Sequence, residues 1–150
     1  MDILPKSIFR SSVSAGERRV RKLLGGLERD GKAVHSLNLP RHEYKRWGEA
    51  DFVVLASDAL LVLEVKGGIV ERRGGTWFYK NGRDEAREAH EPPHVQAGSA
   101  LHAVLNAITR EGHEAPAVAG YAVAFPFTHW THASIPDLPR ELVLDAQDCA

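Results

Sequence analysis

Glu64 and Lys66 stand two positions apart at the end of an apolar run, Ala59–Lys66. Side chains alternate across a strand, so the two share a face with Leu60 and Val62. Burying unpaired charge is costly, so a charged pair closing such a strand should pair or bind something. A third charge comes from the preceding run, Asp51–Ala56. A two-residue turn at Ser57-Asp58 would pair residues whose numbers sum to 115, placing Ala56 opposite Ala59 and Asp51 opposite Glu64. Directly opposed residues have Cβ atoms about 4.5–5.5 Å apart on one face. Two carboxylates that close repel unless a cation sits between them. Hard oxygen ligands of this kind suit Mg²⁺ or Mn²⁺. An ammonium at Lys66 would orient a metal-bound water and stabilise charge building on a phosphate. The chemistry these residue types point to is in-line hydrolysis of a phosphodiester.

The surrounding pattern supplies the elements that must hold this trio. Ser14-Ala15-Gly16-Glu17 has the form of a capping box, and Val20, Leu23, Leu24 and Leu27 follow at helical spacing, which predicts a helix over 14–29. Ala33–Leu39 alternates and predicts a first strand. Residues 41–49 are polar, basic and loop-like. Asp51–Ala56 and Ala59–Lys66 predict an antiparallel hairpin, and Ile69–Arg72 with Thr76–Tyr79 a second one around Gly74-Gly75. Asn81–Glu91 is charged and predicts a mobile segment. Pro92-Pro93 opens a second helix with Val95, Leu101, Val104, Leu105 and Ile108 as its core face, stopped at Gly112. Val118–Phe125 predicts a buried strand and Leu142–Leu144 a short last one. The order is an α/β sandwich with a mixed sheet, not an alternating βαβ array.

The chain has 150 residues, 43% hydrophobic and 26% charged, which fits one globular domain. No apolar run approaches the roughly 20 residues of a membrane helix. The N-terminus lacks the apolar stretch of a secretory signal. Cys149 is the single cysteine, which excludes an internal disulfide and Cys-based zinc sites, and fits a reducing, cytoplasmic setting. Net charge is −1 but uneven: residues 1–50 hold 11 Lys+Arg against 6 Asp+Glu, a balance of +5, while residues 101–150 hold 2 against 6, a balance of −4. A basic first third suits a polyanionic partner, although a solvated helix face would carry the same charges.

The run GEADFVVLASDALLVLEVKGG, residues 48–68, resembles the D-x(n)-E-x-K signature of the PD-(D/E)xK nucleases. With SAGERRVRKLL at 14–24, Trp77, and Pro92-Pro93 ahead of Gln96, the chain more narrowly resembles the nuclease-related domain family, over about residues 14–125. Ala50 stands where the superfamily name has its proline. The resemblance implies a restriction-endonuclease-like core in α-β-β-β-α-β order, a mixed sheet flanked by helices. It implies a metal set of Glu17, Asp51, Glu64 and Val65, and catalytic roles for Asp51, Glu64, Lys66 and Gln96. Nucleic acid, DNA rather than RNA, is the implied partner, with Arg18, Arg19, Arg21, Lys22, Arg41, Lys45 and Arg46 along its backbone.

Each of these residues also has a plainer reading. Glu17 could serve only as the capping-box partner of Ser14, Gln96 could satisfy backbone near the prolines, and Glu64 with Lys66 could be a strand-end ion pair. His90 with His94, and His129 with His132, read as surface pairs. Ser36 and Cys149 lack a nucleophile's context. The expectation is therefore a Mg²⁺- or Mn²⁺-dependent nuclease domain over 14–145, with 1–13 as an extension and 146–150 opening a further segment of a longer protein. The family often carries a helicase in cis, and a homodimer stays open. The alternative is a non-catalytic nucleic-acid-binding module on the same fold.

Overall fold

Ser14 opens the first helix, α1 (Ala15–Gly26): its hydroxyl accepts the Glu17 N–H, and the Glu17 side chain accepts the Ser14 N–H. Four backbone donors at a helix start lack intrahelical partners, and this reciprocal pair satisfies two of them. Val20 and Leu24 form the buried face of α1. The computed structural model describes residues 1–7, 13–39, 48–132 and 135–150. Arg41, Lys45 and Arg46 lie outside these residues.

The main sheet contains β1 (Asp2–Leu4), β2 (Lys32–Leu39), β3 (Gly48–Ala56), β4 (Ala59–Val65), β8 (Val118–Ala124) and β9 (Val143–Leu144), in the order β1-β2-β3-β4-β8-β9. The β2, β3 and β4 neighbours are antiparallel. The β1–β2, β4–β8 and β8–β9 pairs are parallel. The hairpin register is the expected one, Ala56 opposite Ala59 and Phe52 opposite Leu63, with Ser57 at φ 55° in the turn. A second, three-stranded sheet comprises β5 (Ile69–Arg73), β6 (Thr76–Lys80) and β7 (Arg87–Glu88). The chain is thus a mixed sheet flanked by helices, as expected. β1 was not anticipated: three residues before a proline carry too little periodicity to signal a strand.

The main sheet has two packed faces. On one, α1 buries Val20 and Leu24 against Ala33, Phe52, Val54, Leu63 and Val65. On the other, α2 (Pro93–Arg110) buries Ala100 and Val104 against Leu39, Ala50, Val53, Leu60 and Val62. A fully buried Phe or Leu contributes roughly 1.5–3 kcal/mol, and Phe52 and Leu63 lie at the centre of the first layer.

Three expectations need correction. Val95 is not on the core face of α2: it is 40% exposed, and the buried residues are Pro93, Ala97, Ala100 and Val104. Alanines let the helix axis come close to the sheet, so small residues rather than the largest ones mark the contact. The Asn81–Glu91 segment, expected to be mobile, carries a short strand: β7 pairs with β6, and the Ala89 N–H donates to the Trp77 carbonyl. Val118–Phe125 is buried only toward its end, and Val118 itself is 62% exposed. The Ala146 N–H donates to the Thr128 carbonyl, and Cys149 is buried in the cluster that holds Val20 and Leu24 of α1.

The alternation of β2 and β3 breaks at one level. Ala33 belongs to the α1 face, whereas Leu39, of the same parity, belongs to the α2 face. On β3, Phe52 and Val54 face α1, whereas Ala50 faces α2. The break falls at Ser36, which takes φ 55°, a left-handed conformation uncommon for a non-glycine residue. The β2–β3 ladder passes from His35–Phe52 to Leu37–Ala50, skipping Ser36 and Asp51. Strand irregularities of this kind re-aim side chains and gather at functional sites.

Candidate active site

Asp51 occupies that break in β3, one position beyond the Phe52–Leu63 pair on the side of Glu64. Its Oδ2 accepts the Val65 N–H at 2.7 Å. The Val65 side chain is buried against α1, so among these residues Val65 acts through its backbone, fixing Asp51. Glu64 is 8% exposed, and its Oε1 accepts from Lys66 Nζ at 2.7 Å. Lys66 follows the end of β4, where its N–H still donates to the Ala124 carbonyl, so its stem is held in line with the strand.

The second hydrogen bond of Lys66 Nζ goes to Gln96 Oε1, at 2.5 Å. Pro92 caps α2 and Pro93 takes its first position, where the missing N–H costs nothing. Gln96 therefore sits in the first turn, and its amide meets the strand end. Lys66 Nζ also lies 5.5 Å from the centre of the Tyr79 ring. The Tyr79 hydroxyl is buried without a partner among the described residues, and burial together with the Glu64 charge raises its pKa.

Glu17 comes from the first turn of α1. Its Oε2 lies 2.9 Å from Nε2 of His35, and its Oε1 takes the Ser14 N–H at 3.1 Å. The approach of α1 to the strand end is close. A Cβ on Gly16 would lie 2.5 Å from the Gly67 Cα, so glycine at position 16 lets the helix start touch the Gly67 backbone.

Electrostatics tie the three carboxylates together. Burial, then the Glu64 charge, then that of Glu17, push the Asp51 carboxyl up to about 7, against the Val65 N–H and Lys66, which lower it. Glu17 goes the other way. Burial works to raise it, but hydrogen bonds from Ser14 and His35 hold it below the usual carboxylate range. Among the described residues, no three His, Cys, Asp or Glu side chains close into a ready metal cage. Each carboxylate has a protein partner: Glu17 has His35, Asp51 the Val65 N–H and Glu64 the Lys66 ammonium. The donor set nonetheless fits a hard divalent cation: it is all carboxylate oxygen, and the mutual repulsion carried by Asp51 is relieved by positive charge.

The basic face of α1 is partly spent on the fold. Arg19 donates to the Cys149 and Ala146 carbonyls and lies over the Phe127 ring. Arg21 donates to the Pro5 and Lys6 carbonyls, and Arg18 to that of Val13. Lys22 is exposed. His90, His129 and His132 are exposed as expected, but His94 is half-buried against Trp77, and burial lowers its pKa. Sequence reasoning missed His35 and Tyr79. The signal for His35 was available: a polar residue two positions after the inward Ala33 on an alternating strand.

The model of the nuclease-related domain family matches residues 12–126 of the chain. Among curated proteins and among solved structures, none matches.

Proposed function

The chain belongs to the nuclease-related domain family, and we propose that it is a divalent-metal-dependent nuclease that hydrolyses phosphodiester bonds at the Asp51–Glu64–Lys66 site. The observation that carries this reading is the placement of Lys66: one ammonium bridges Glu64 and Gln96 beside the Asp51 level of the hairpin. An ion-pair role alone would need Glu64 but not Gln96, and would leave Asp51 with a strained neighbour and a repelling one.

Asp51 and Glu64, with Glu17 at the edge, would hold the Mg²⁺ or Mn²⁺. When bound, that ion supplies polarisation of the phosphoryl oxygen and a more acidic water. The Lys66 ammonium places positive charge where negative charge builds on the phosphate. Gln96 holds the ammonium in position from α2. The Val65 N–H keeps one oxygen of Asp51 fixed and leaves the other for the ion. DNA as the substrate and a helicase in cis rest on the family resemblance. Among the described residues, no helix is long and apolar enough to cross a membrane.

That no three ligands close into a cage among the described residues favours, as a second reading, a binding module that does not cleave. A panel of labelled single- and double-stranded DNA and RNA, incubated with Mg²⁺, Mn²⁺ or EDTA, separates the two. Metal-dependent cleavage lost in Glu64→Ala supports the nuclease. Retention of labelled strands without cleavage in either ion supports the module.

A further inference from the structure

The His35 side chain is 1% exposed, and one of its nitrogens has no partner among the described residues. Buried polar atoms are normally satisfied, so a half-satisfied imidazole calls for an explanation. Its ring lies flat on Phe52, with centroids 4.4 Å apart and planes 5° apart. The two residues are direct partners across β2 and β3, so strand pairing fixes the plane of the ring. In that plane Nε2 points at Glu17 Oε2, 2.9 Å away. The unpartnered nitrogen is Nδ1.

A cap role for Glu17 does not require this bond. The capping box is complete through Oε1 and the two backbone N–H groups. The contact to Oε2 is additional, and it turns an oxygen that a helix cap leaves in water toward the sheet. Both oxygens are then held, which stops rotation of the carboxylate about its last bond. Position matters here too: His35 immediately precedes Ser36, the left-handed residue at the level of Asp51, and the Glu17 charge is one of those acting on Asp51.

We propose that His35 is a positioning residue: it donates from Nε2–H to Glu17 and pre-sets that carboxylate to complete the divalent-cation site with Asp51 and Glu64. This rests on the metal-site reading above. In the Nε2–H tautomer, only an acceptor lone pair at Nδ1 lacks a partner among the described residues; a proton on Nδ1 would instead bury an unpaired N–H. Partners that orient a ligand by hydrogen bonding usually change metal affinity by about 10–100-fold when removed.

The test is Mn²⁺ binding by calorimetry on the intact chain, for wild type, His35→Phe, His35→Gln, Glu17→Ala and the Glu17→Ala/His35→Phe double variant. His35→Phe should bind Mn²⁺ about 10–100-fold more weakly. His35→Gln, which keeps a donor near the Nε2 position, should recover most of that loss. On the Glu17→Ala background, His35→Phe should add no further loss, because its effect passes through Glu17. Wild-type affinity in His35→Phe, or an undiminished loss on the Glu17→Ala background, overturns the role of His35 and leaves the metal site standing. Absence of Mn²⁺ binding in wild type overturns both. Should the Phe variant not fold, the imidazole ¹⁵N spectrum of wild type still decides: the Nε2–H tautomer is expected, and an Nδ1–H tautomer overturns the proposal.

Discussion

Lys66 Nζ lies 2.5 Å from Gln96 Oε1, so one hydrogen bond joins the end of β4 to the first turn of α2 across 30 positions of chain. The bond makes the place of the ammonium depend on the packing of a helix on the opposite side of the sequence from the hairpin. Gln96→Ala should lower the cleavage rate by about 10–100-fold, as expected for loss of a charge-assisted hydrogen bond of about 1.5–3 kcal/mol. Mn²⁺ affinity should stay near wild type, because Gln96 is not a proposed ligand. Single-turnover cleavage beside a metal titration checks this, and an equal fall in both would place Gln96 in the metal set instead.

Glu64 and Lys66 should separate into ligand and catalyst. Glu64→Ala is expected to abolish both cleavage and the rise in melting temperature with Mg²⁺ or Mn²⁺. A ligand present at a hundred times its Kd stabilises by about 2.7 kcal/mol, which a thermal-shift titration resolves. Lys66→Ala should abolish cleavage but keep the metal-dependent rise. Glu64 is 8% exposed and loses its partner in that variant. The unrelieved charge should lower stability without metal and enlarge the gain with it. Loss of the metal response in Lys66→Ala would show the roles wrongly divided.

Asp51 sets a pH dependence. Its folded pKa is raised to about 7 from 3.8, first by burial and then by Glu64. Between those values the native state binds more protons than the unfolded chain, so stability falls as pH rises. The contribution is complete below about pH 4 and lost by about pH 7. Urea unfolding in EDTA should therefore show wild type losing stability relative to Asp51→Asn as pH is raised through this window. A constant difference between the two proteins would mean that the Asp51 carboxylate is not in a repelling environment.

Gly16→Ala distinguishes contact from propensity. In an open helix position the change stabilises by up to about 1 kcal/mol. Here the new Cβ would lie 2.5 Å from the Gly67 Cα, a backbone atom that cannot rotate away. The expected result is a loss of about 1–3 kcal/mol, as for other overpacked sites, with weaker metal binding as α1 and Glu17 shift outward. Gly26→Ala, with nothing within 4 Å of its added Cβ, is the control and should cost little. Chemical denaturation of both variants reads the sign directly, and a stabilised Gly16→Ala would show that the start of α1 does not press on the Gly67 backbone.

Features that depend on short-range periodicity were legible in the amino-acid sequence. The capping box at Ser14–Glu17 places Glu17 on the first turn of α1, because both partners are three residues apart. The two-residue turn at Ser57-Asp58 sets the hairpin register, because strand pairing propagates from the turn without further information. The E-x-K spacing puts Glu64 and Lys66 on one side for the same reason. Contacts between layers were not legible there, because they depend on how distant elements pack. Gln96 reaches Lys66 because alanines let α2 settle close on the sheet, and hydrophobic periodicity does not report how near two elements come. Arg19 and Arg21 are drawn into carbonyl contacts with the chain termini, which composition counts only as charge. His35 meets Glu17 because β2 pairs with β3 in one register and α1 lies over that pair. The left-handed turn at Ser36, which breaks alternation at the level of Asp51, has no local residue signature. A conformation that costs energy by itself persists only when packing on both faces of the sheet fixes it, and that packing comes from residues distant in sequence.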